Sequence, residues 1–231
     1  MAVAEEQAEV GLRERKKRRT RAALIDAALR LFRAKGYEAT TVEEIAAAVE
    51  ISPRTFFRYF AGKEDVALAQ LDELDELLVD ALVGRPEDEP PLTALRAAYR
   101  VQLERLAGPD RTTLSRFLTV HHLIEAAPPL LAGSLRRSAE VERLMVAELT
   151  RRIGTGPEVE LRAALLVRLV RAAARAGFEA GCRRGVLDDP AALVSTVEHT
   201  LDLATAGLGV AWGDHPERWG RDGRSASEGD R

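Results

Sequence analysis

The 231-residue sequence has almost no cysteine and no long apolar segment. Its single cysteine, Cys182, excludes an internal disulfide and any multi-cysteine zinc site. No run approaches the roughly 20 apolar residues that a membrane-spanning helix needs, and the N-terminus lacks the apolar core of a signal peptide. These absences predict a cytoplasmic protein, and we expect no metal and no cofactor.

Charge is distributed unevenly along the chain, although the net charge is only −3. Residues 11–63 hold 13 Lys and Arg against six Asp and Glu, and the remainder is acidic. Within this segment, residues 13–21 carry seven bases in nine positions, among them Arg18 and Arg19. A basic N-terminal segment followed by an acidic remainder is typical of nucleic-acid-binding proteins. The alternatives are scattered solvated charge and, for residues 13–21, a solvated helix start rather than an arm on DNA.

Helical periodicity runs through the chain and no strand pattern is present, which predicts an all-α fold with about nine helices. The first helix has an apolar face from Leu24 to Phe32 and ends at Gly36. A long acidic helix opens at Lys63 and is stopped by the Gly- and Pro-containing segment 84–91. Further helices are predicted over 92–107, 110–126, 129–153, 157–182 and 190–212.

Residues 41–63 have the layout of a helix-turn-helix: a short capped helix, a tight turn and a second short helix. Thr41 and Glu44 form a Thr-x-x-Glu capping box. Ser52 caps the next helix, which carries Pro53 at its first position. Glu50, Ile51 and Ser52 form the turn between the two helices.

The second short helix presents side chains that suit DNA. Arg54 and Arg58 lie four residues apart on one side, and arginine is well suited to guanine O6 and N7. Tyr59, Lys63 and the helix amino end near Thr41 suit phosphates. The apolar residues expected to hold this helix are Ile45, Val49, Ile51, Phe56 and Phe60. The alternative is an ordinary helical hairpin with a basic surface.

Residues 20–68 resemble the TetR family of bacterial transcriptional regulators almost without gaps. The matching segments are 27–32 (AALRLF), 35–37 (KGY), 40–46 (TTVEEIA), 52–60 (SPRTFFRYF) and 63–66 (KEDV). The resemblance implies phosphate contacts by Thr41, Tyr59 and Lys63, and base-facing roles for Arg54, Thr55 and Arg58. Phe57 departs from the pattern, because many relatives have a tyrosine whose hydroxyl contacts a phosphate. Glu50 also departs, because the family often has a glycine at this turn position, and a non-glycine residue there must accept a positive φ or re-route the turn.

The resemblance also implies an architecture and a mode of action. A three-helix helix-turn-helix domain (13–62) would follow a flexible lead-in (1–12) and precede a larger helical ligand-binding and dimerisation domain (63–212) and a disordered tail (213–231). Such a protein is a homodimeric repressor that binds a near-palindromic operator as double-stranded DNA and is released by a small-molecule effector. Residues 120–131 are similar to an actinobacterial branch whose regulators respond to acyl-coenzyme A esters or other apolar effectors.

The last predicted helix carries a narrow apolar seam whose members are spaced three and four residues apart. The seam residues are Val194, Val197, Leu201, Ala204 and Leu208. Together with Leu165 and Leu169 of the preceding helix, they predict a four-helix interface in a homodimer. The alternative is that both helices pack inside the monomer.

Inward-facing positions of the central helices predict a mostly apolar effector pocket. Its candidate lining residues are Leu78, Tyr99, Leu103, Phe117, His121 and Met145. With only Tyr99 and His121 as polar groups, the wall suits a hydrophobic or acyl-chain ligand. The alternatives are a solid core and, for His121, an ordinary hydrogen-bonded core residue. A metal pair of His121 and His122 has little support, since adjacent helical residues diverge by about 100°.

Two other classes of protein stay open at this point. An enzyme with a DNA-binding appendage would need a nucleophile–base pair or a carboxylate dyad, and the sequence offers no catalytic residues of that kind. An architectural DNA-binding protein would need no effector cavity at all.

Overall fold

The structure is a computed structural model that describes residues 2–109, 111–184 and 189–206, with side chains described from Arg13 onward. These residues form nine α-helices and no strand, which confirms the all-α prediction. The helices are α1 (Ala2–Lys35), α2 (Val42–Ala47), α3 (Pro53–Phe56), α4 (Lys63–Val83), α5 (Pro91–Leu106), α6 (Arg111–Ala126), α7 (Pro128–Ile153), α8 (Val159–Arg183) and α9 (Pro190–Thr205). The tail predicted over 213–231 and the seam residue Leu208 lie outside the described residues.

Helix α1 includes the segment for which the sequence predicts a flexible lead-in. The helix begins at Ala2, so most of residues 1–12 have helical backbone. The segment is rich in Ala, Glu and Gln, which have high helix propensity, and no proline separates it from the basic run. The basic residues 13–19 are exposed on the same helix.

The chain packs as two units. The first holds residues up to 73 together with 112–137, and the second holds residues 74–111 together with those from 138 onward. The division differs from the predicted boundary at residue 62, because α6 and the first part of α7 pack with the helix-turn-helix. Val120, Leu123 and Leu130 supply apolar side chains to the core of the first unit.

The core of the first unit joins the helix-turn-helix to α1, α4 and α6. Leu24 and Phe32 of α1, Ile45 of α2 and Phe56 of α3 are almost fully buried. Burying each large apolar side chain contributes about 1.5–3 kcal/mol. The apolar faces predicted for these helices are therefore confirmed as the core that fixes the short helices.

Ion pairs add directional contacts within the first unit. Arg116 of α6 donates two hydrogen bonds to the carboxylate of Asp26 in α1, at 2.8 and 2.9 Å. Arg137 of α7 binds Glu64 at 3.0 Å and Asp65 at 2.7 Å, both at the start of α4. Paired donors on a guanidinium fix geometry as well as charge. These arginines set the orientation of α6 and α7 against α1 and α4.

In the second unit, Arg152 closes the C-terminal end of α4. Its guanidinium donates to the carbonyl oxygens of Leu82, Arg85 and Pro86 at 2.7–3.0 Å and to the carboxylate of Glu148 at 2.7 Å. The last carbonyls of a helix lack intrahelical donors and carry partial negative charge. The guanidinium of Arg152 supplies both hydrogen-bond donors and a positive charge.

Helices α8 and α9 pack closely, which corrects part of the predicted dimer interface. Val197 and Leu201 are only 1% and 2% exposed, because Gly177 of α8 brings the two backbones into contact. These two residues therefore pack inside the chain. Val194 and Ala204 are half-buried, whereas Leu165 and Leu169 of α8 are exposed.

We predict that Gly177→Ala lowers the free energy of unfolding by about 1–3 kcal/mol, the usual cost of overpacking. The added methyl carbon would lie 2.7 Å from the Cα of Val197, a backbone atom that cannot rotate away. Gly62→Ala is the control, since its added methyl carbon would have no neighbour within 4 Å. Urea unfolding measures both, and an equal loss in the two variants would contradict the close packing of α8 on α9.

Candidate nucleic-acid interface

The amino end of α2 is held by the predicted capping box. The amide of Glu44 donates to Thr41 Oγ1 at 3.3 Å, and the amide of Thr41 donates to Glu44 Oε2 at 2.9 Å. Lys35 also pairs with Glu44, and this contact, followed by the Thr41 amide, lowers the pKa of the Glu44 carboxyl. The Thr41 hydroxyl also contacts the Glu44 carboxylate, so a phosphate contact by Thr41 stays a prediction.

The turn between α2 and α3 is closed by two backbone hydrogen bonds. The Glu50 amide donates to the Ala47 carbonyl and the Ile51 amide to the Ala46 carbonyl, both at 3.0 Å. This pair of bonds defines a Schellman ending, whose central residue adopts the left-handed conformation. Glu50 has a φ of 57°, which is the first of the two alternatives expected for a non-glycine residue at this position.

Helix α3 presents its polar side chains outward. Ser52 Oγ accepts the Thr55 amide at 3.1 Å, and Pro53 occupies the first turn, as predicted. Arg54 and Arg58 are exposed. Within the described part of the chain, neither guanidinium has a hydrogen-bond or ion-pair partner, so both can bind an added anion or base edge.

The other predicted contacts on α3 are more constrained. Thr55 is half-buried and its hydroxyl lies 2.9 Å from that of Ser52, so it already takes part in the helix cap. Tyr59 is half-buried and packs against the core of the first unit. Direct DNA contacts by Thr55 and Tyr59 stay predictions.

Lys63 has a structural role that the sequence did not indicate. Its ammonium donates to the carbonyl oxygens of Tyr37 at 3.0 Å, Glu38 at 3.2 Å and Thr40 at 3.5 Å. It also lies 4.4 Å from the centre of the Tyr37 ring. An ammonium has three donors, so all of them face the loop between α1 and α2. A phosphate contact stays a prediction and would require Lys63 to release one of these carbonyls.

The basic run on α1 adds further exposed positive charge to the first unit. Arg18 and Arg19 are exposed, whereas Arg21 lies over the Phe60 ring at 4.8 Å and pairs with Glu73 at 2.6 Å. Arg21 therefore stabilises the packing of α1 on the segment after α3. Arg18 and Arg19 add positive charge on the same helix.

Comparison with known proteins identifies this arrangement. Residues 24–69 match the family described as "Bacterial regulatory proteins, tetR family". The HTH-type transcriptional regulator TcmR of Streptomyces glaucescens is 44% identical over 167 residues, which cover 71% of this chain and 74% of TcmR. The chain belongs to the TetR family of transcriptional regulators. It is a DNA-binding regulator and not an enzyme.

Solved structures agree with the TetR fold. SmeT, the repressor of the Stenotrophomonas maltophilia efflux pump SmeDEF, has a TM-score of 0.54 and 17% identity, covering 84% of this chain and 90% of SmeT. A structure of SmeT with triclosan has a TM-score of 0.53 and 18% identity, covering 92% and 99% of the two chains. At these identities the likeness establishes the fold alone.

The predicted effector residues of this TetR-family chain divide between the two units. Leu78, Tyr99, Leu103 and Met145 belong to the second unit and are buried. Phe117 and His121 belong to the first unit, are half-buried, and have ring centres 5.1 Å apart.

Arg171 is a polar neighbour of these residues that sequence reasoning missed. Its guanidinium donates to Ser138 Oγ at 2.7 Å and approaches Met145 Sδ at 3.8 Å. Burial raises the pKa of the Tyr99 hydroxyl, and the nearby Arg171 opposes part of that shift. The sequence carries no signal for it, because α8 has several other arginines at exposed or half-buried positions.

Metal sites and membrane spans are both absent from the described residues. No group of three or more His, Cys, Asp or Glu side chains there is arranged to hold a metal ion. None of the helices in the described ranges has the length and apolar character to span a membrane.

We predict that Lys63→Met lowers the free energy of unfolding by about 1–3 kcal/mol, because it removes charged hydrogen bonds to three carbonyls. Chemical denaturation of the free protein measures this effect without DNA. Arg54→Met is the control, since this exposed arginine has no such bonds within the described residues, and it should change stability by less than about 0.5 kcal/mol. A Lys63→Met variant as stable as the wild type would show that the ammonium is free for phosphate.

Proposed function

We propose that this TetR-family regulator is a cytoplasmic homodimeric repressor that binds a near-palindromic DNA operator and is released by a small hydrophobic effector. The observation that carries the proposal is the exposed pair Arg54, on α3, and Arg58, in the turn that follows it. These arginines have no partner among the described residues, while Phe56 beneath them is buried. A short helix anchored on one side with free guanidinium groups on the other suits the major groove.

The exposed arginines of α1 also support DNA binding. Exposed Arg18 and Arg19 extend the positive surface along α1. Contacts to phosphates add affinity without sequence information, whereas contacts to base edges add specificity. The proposal therefore separates two groups of arginines by what each contributes to binding.

We expect Arg58→Ala to cost about 1–3 kcal/mol and to relax base preference at one position of each half-site. The double variant Arg18→Gln/Arg19→Gln should weaken binding to all duplexes alike. It should also reduce the slope of the logarithm of the binding constant against the logarithm of the salt concentration by up to about two units. Fluorescence anisotropy at several salt concentrations, on duplexes selected from a random pool, measures both. If no duplex is selected, the operator proposal fails. If base preference changes in the double variant and not in Arg58→Ala, the two roles are reversed.

The homodimer is supported by an apolar stripe on the surface of α8. Leu161, Leu165 and Leu169 are 59%, 48% and 36% exposed and follow one another at intervals of four residues. Leu203 of α9 is also exposed. An apolar stripe on a long helix favours packing against its own copy, since a two-fold interface uses the same patch on both subunits. Two copies are also what a near-palindromic operator requires.

We predict that Leu165→Arg dissociates the dimer and abolishes operator binding, because a charge would enter an apolar interface. Leu201→Arg would instead unfold the second unit, since Leu201 is buried within the chain. Leu135→Arg is the matched control on α7, where the side chain is 58% exposed. Sedimentation velocity distinguishes monomer from dimer, and a folded, dimeric Leu165→Arg protein would place the interface elsewhere.

The effector proposal rests on the interior of the second unit. Leu78, Leu103 and Met145 are buried and apolar. The Tyr99 hydroxyl, which lies near Arg171, provides a polar site among them. This combination suits an apolar compound with a single hydrogen-bonding group, such as an acyl chain or a hydrophobic ring. The SmeT structure with triclosan is an example of a small molecule bound by a protein of the same fold.

We expect a compound of this class to stabilise the protein and to release DNA. At a hundredfold excess over its dissociation constant it should add about 2.7 kcal/mol of apparent stability. A thermal-shift screen of acyl-coenzyme A esters and hydrophobic aromatic compounds tests this. Tyr99→Phe should weaken the response two- to tenfold, the effect of about one hydrogen bond, whereas Leu144→Ala on the exposed side of α7 should not. A hydrophilic effector would contradict the assignment, and binding of DNA that no compound reverses would favour an architectural protein.

A further inference from the structure

Phe57 is a large aromatic side chain that the fold leaves in water. It is 55% exposed, and no other aromatic residue within the described ranges reaches the exposed class. Its neighbours in the same short segment behave differently, since Phe56 is fully buried and Phe60 is 5% exposed. Leaving an aromatic ring exposed forgoes the stabilisation that its burial gives.

The Phe57 ring is nevertheless held in place. Its centre lies 5.5 Å from that of the buried Phe56 ring, at an interplanar angle of 88°. The Phe57 amide donates to the Pro53 carbonyl at 3.1 Å, and the Phe60 amide donates to the Phe56 carbonyl at 3.1 Å. The intervening amides of Arg58 and Tyr59 donate to carbonyls three residues back, at 3.2 and 2.8 Å. Phe57 therefore lies in the hydrogen-bonded turn that ends α3, with its ring against that of Phe56.

Two arginines belong to the same exposed segment. Arg54 is three residues before Phe57 and Arg58 directly follows it, and all three side chains are exposed. The surface of this segment thus includes an apolar ring and two guanidinium groups that have no partner within the described residues. A partner for this surface must combine negative charge with a small apolar group.

The edge of a thymine in the major groove has both properties. Its C5-methyl group is apolar and projects into a groove lined by phosphates, and contact with this methyl is an established use of phenylalanine in DNA recognition. Phenylalanine has no hydroxyl to donate to a phosphate, so a backbone hydrogen bond is excluded for this side chain.

We infer that Phe57 contacts the C5-methyl group of a thymine in each half-site of the operator and selects that base. The inference rests on the proposed operator binding and adds a specificity determinant to it. Arg54 and Arg58 would then supply hydrogen bonds to neighbouring bases, while Phe57 supplies an apolar contact that distinguishes thymine from cytosine.

Replacing thymine by deoxyuridine tests this inference, because the exchange removes one methyl group and leaves base pairing unchanged. The probe is a duplex selected from a random pool by the wild-type protein, with each thymine replaced in turn. We expect one position per half-site at which the exchange weakens wild-type binding about fourfold, the effect of one buried methyl group. With Phe57→Ala the same exchange should have no effect, whereas at other positions wild type and variant should respond alike.

Two further variants separate the possible outcomes. Phe57→Tyr keeps the ring and should retain the response to deoxyuridine; uniformly tighter binding with loss of that response would place the ring at the phosphates and overturn the inference. Leu135→Ala, which removes another exposed apolar side chain of the first unit, should leave the deoxyuridine profile unchanged. If a duplex is selected but no thymine exchange distinguishes Phe57→Ala from wild type, Phe57 does not read the methyl group. If no duplex is selected, operator binding itself fails.

Discussion

The burial of Phe56 is the contact on which the DNA-facing surface depends. Helix α3 has only four residues, far fewer than an isolated helix needs to be stable in water. Its orientation is therefore set by tertiary packing, with Phe56 fully enclosed by the core that also contains Ile45 and Phe32. Since successive residues on a helix point in different directions, fixing Phe56 inward leaves Arg54 and Arg58 outward. One apolar side chain thus determines where the polar ones are presented.

The features that the sequence predicted well are those decided by neighbouring residues. The Thr41 capping box, the Ser52 cap and the positive φ of Glu50 all depend on groups within a few positions of one another. Such local chemistry has few alternatives, because helix ends leave backbone groups that must find partners nearby. The ends of α1 and α4 followed for the same reason, since Gly36 and the Gly- and Pro-containing segment 84–91 are visible along the chain, whereas the start of α1 at Ala2 was not predicted.

The features that the sequence could not supply depend on residues far apart in the chain. Lys63 binds carbonyls 23 to 26 residues before it, and an isolated lysine gives no sign of which acceptors will surround it. The seam through Val197 and Leu201 has the period of a helix–helix interface, but that period is the same whether the partner helix belongs to the same chain or to another copy. The close approach of Gly177 to Val197 shows that Val197 and Leu201 pack against a helix of the same chain.

The ion pairs of the first unit bear on how an effector would alter DNA binding. Arg137 of α7 binds Asp65 at 2.7 Å, and the other oxygen of that carboxylate accepts the amide of Ala61 at 2.9 Å, where the chain leaves α3. A shift of α7 or of the start of α4 would therefore act on the segment that follows the recognition helix. Both α4 and α7 contribute residues to each unit, so covalent continuity provides a route for such a shift. The free energy available to it is bounded by the effector's difference in affinity for the two conformations. A tightly bound compound that favours neither conformation would leave the recognition helix where it is.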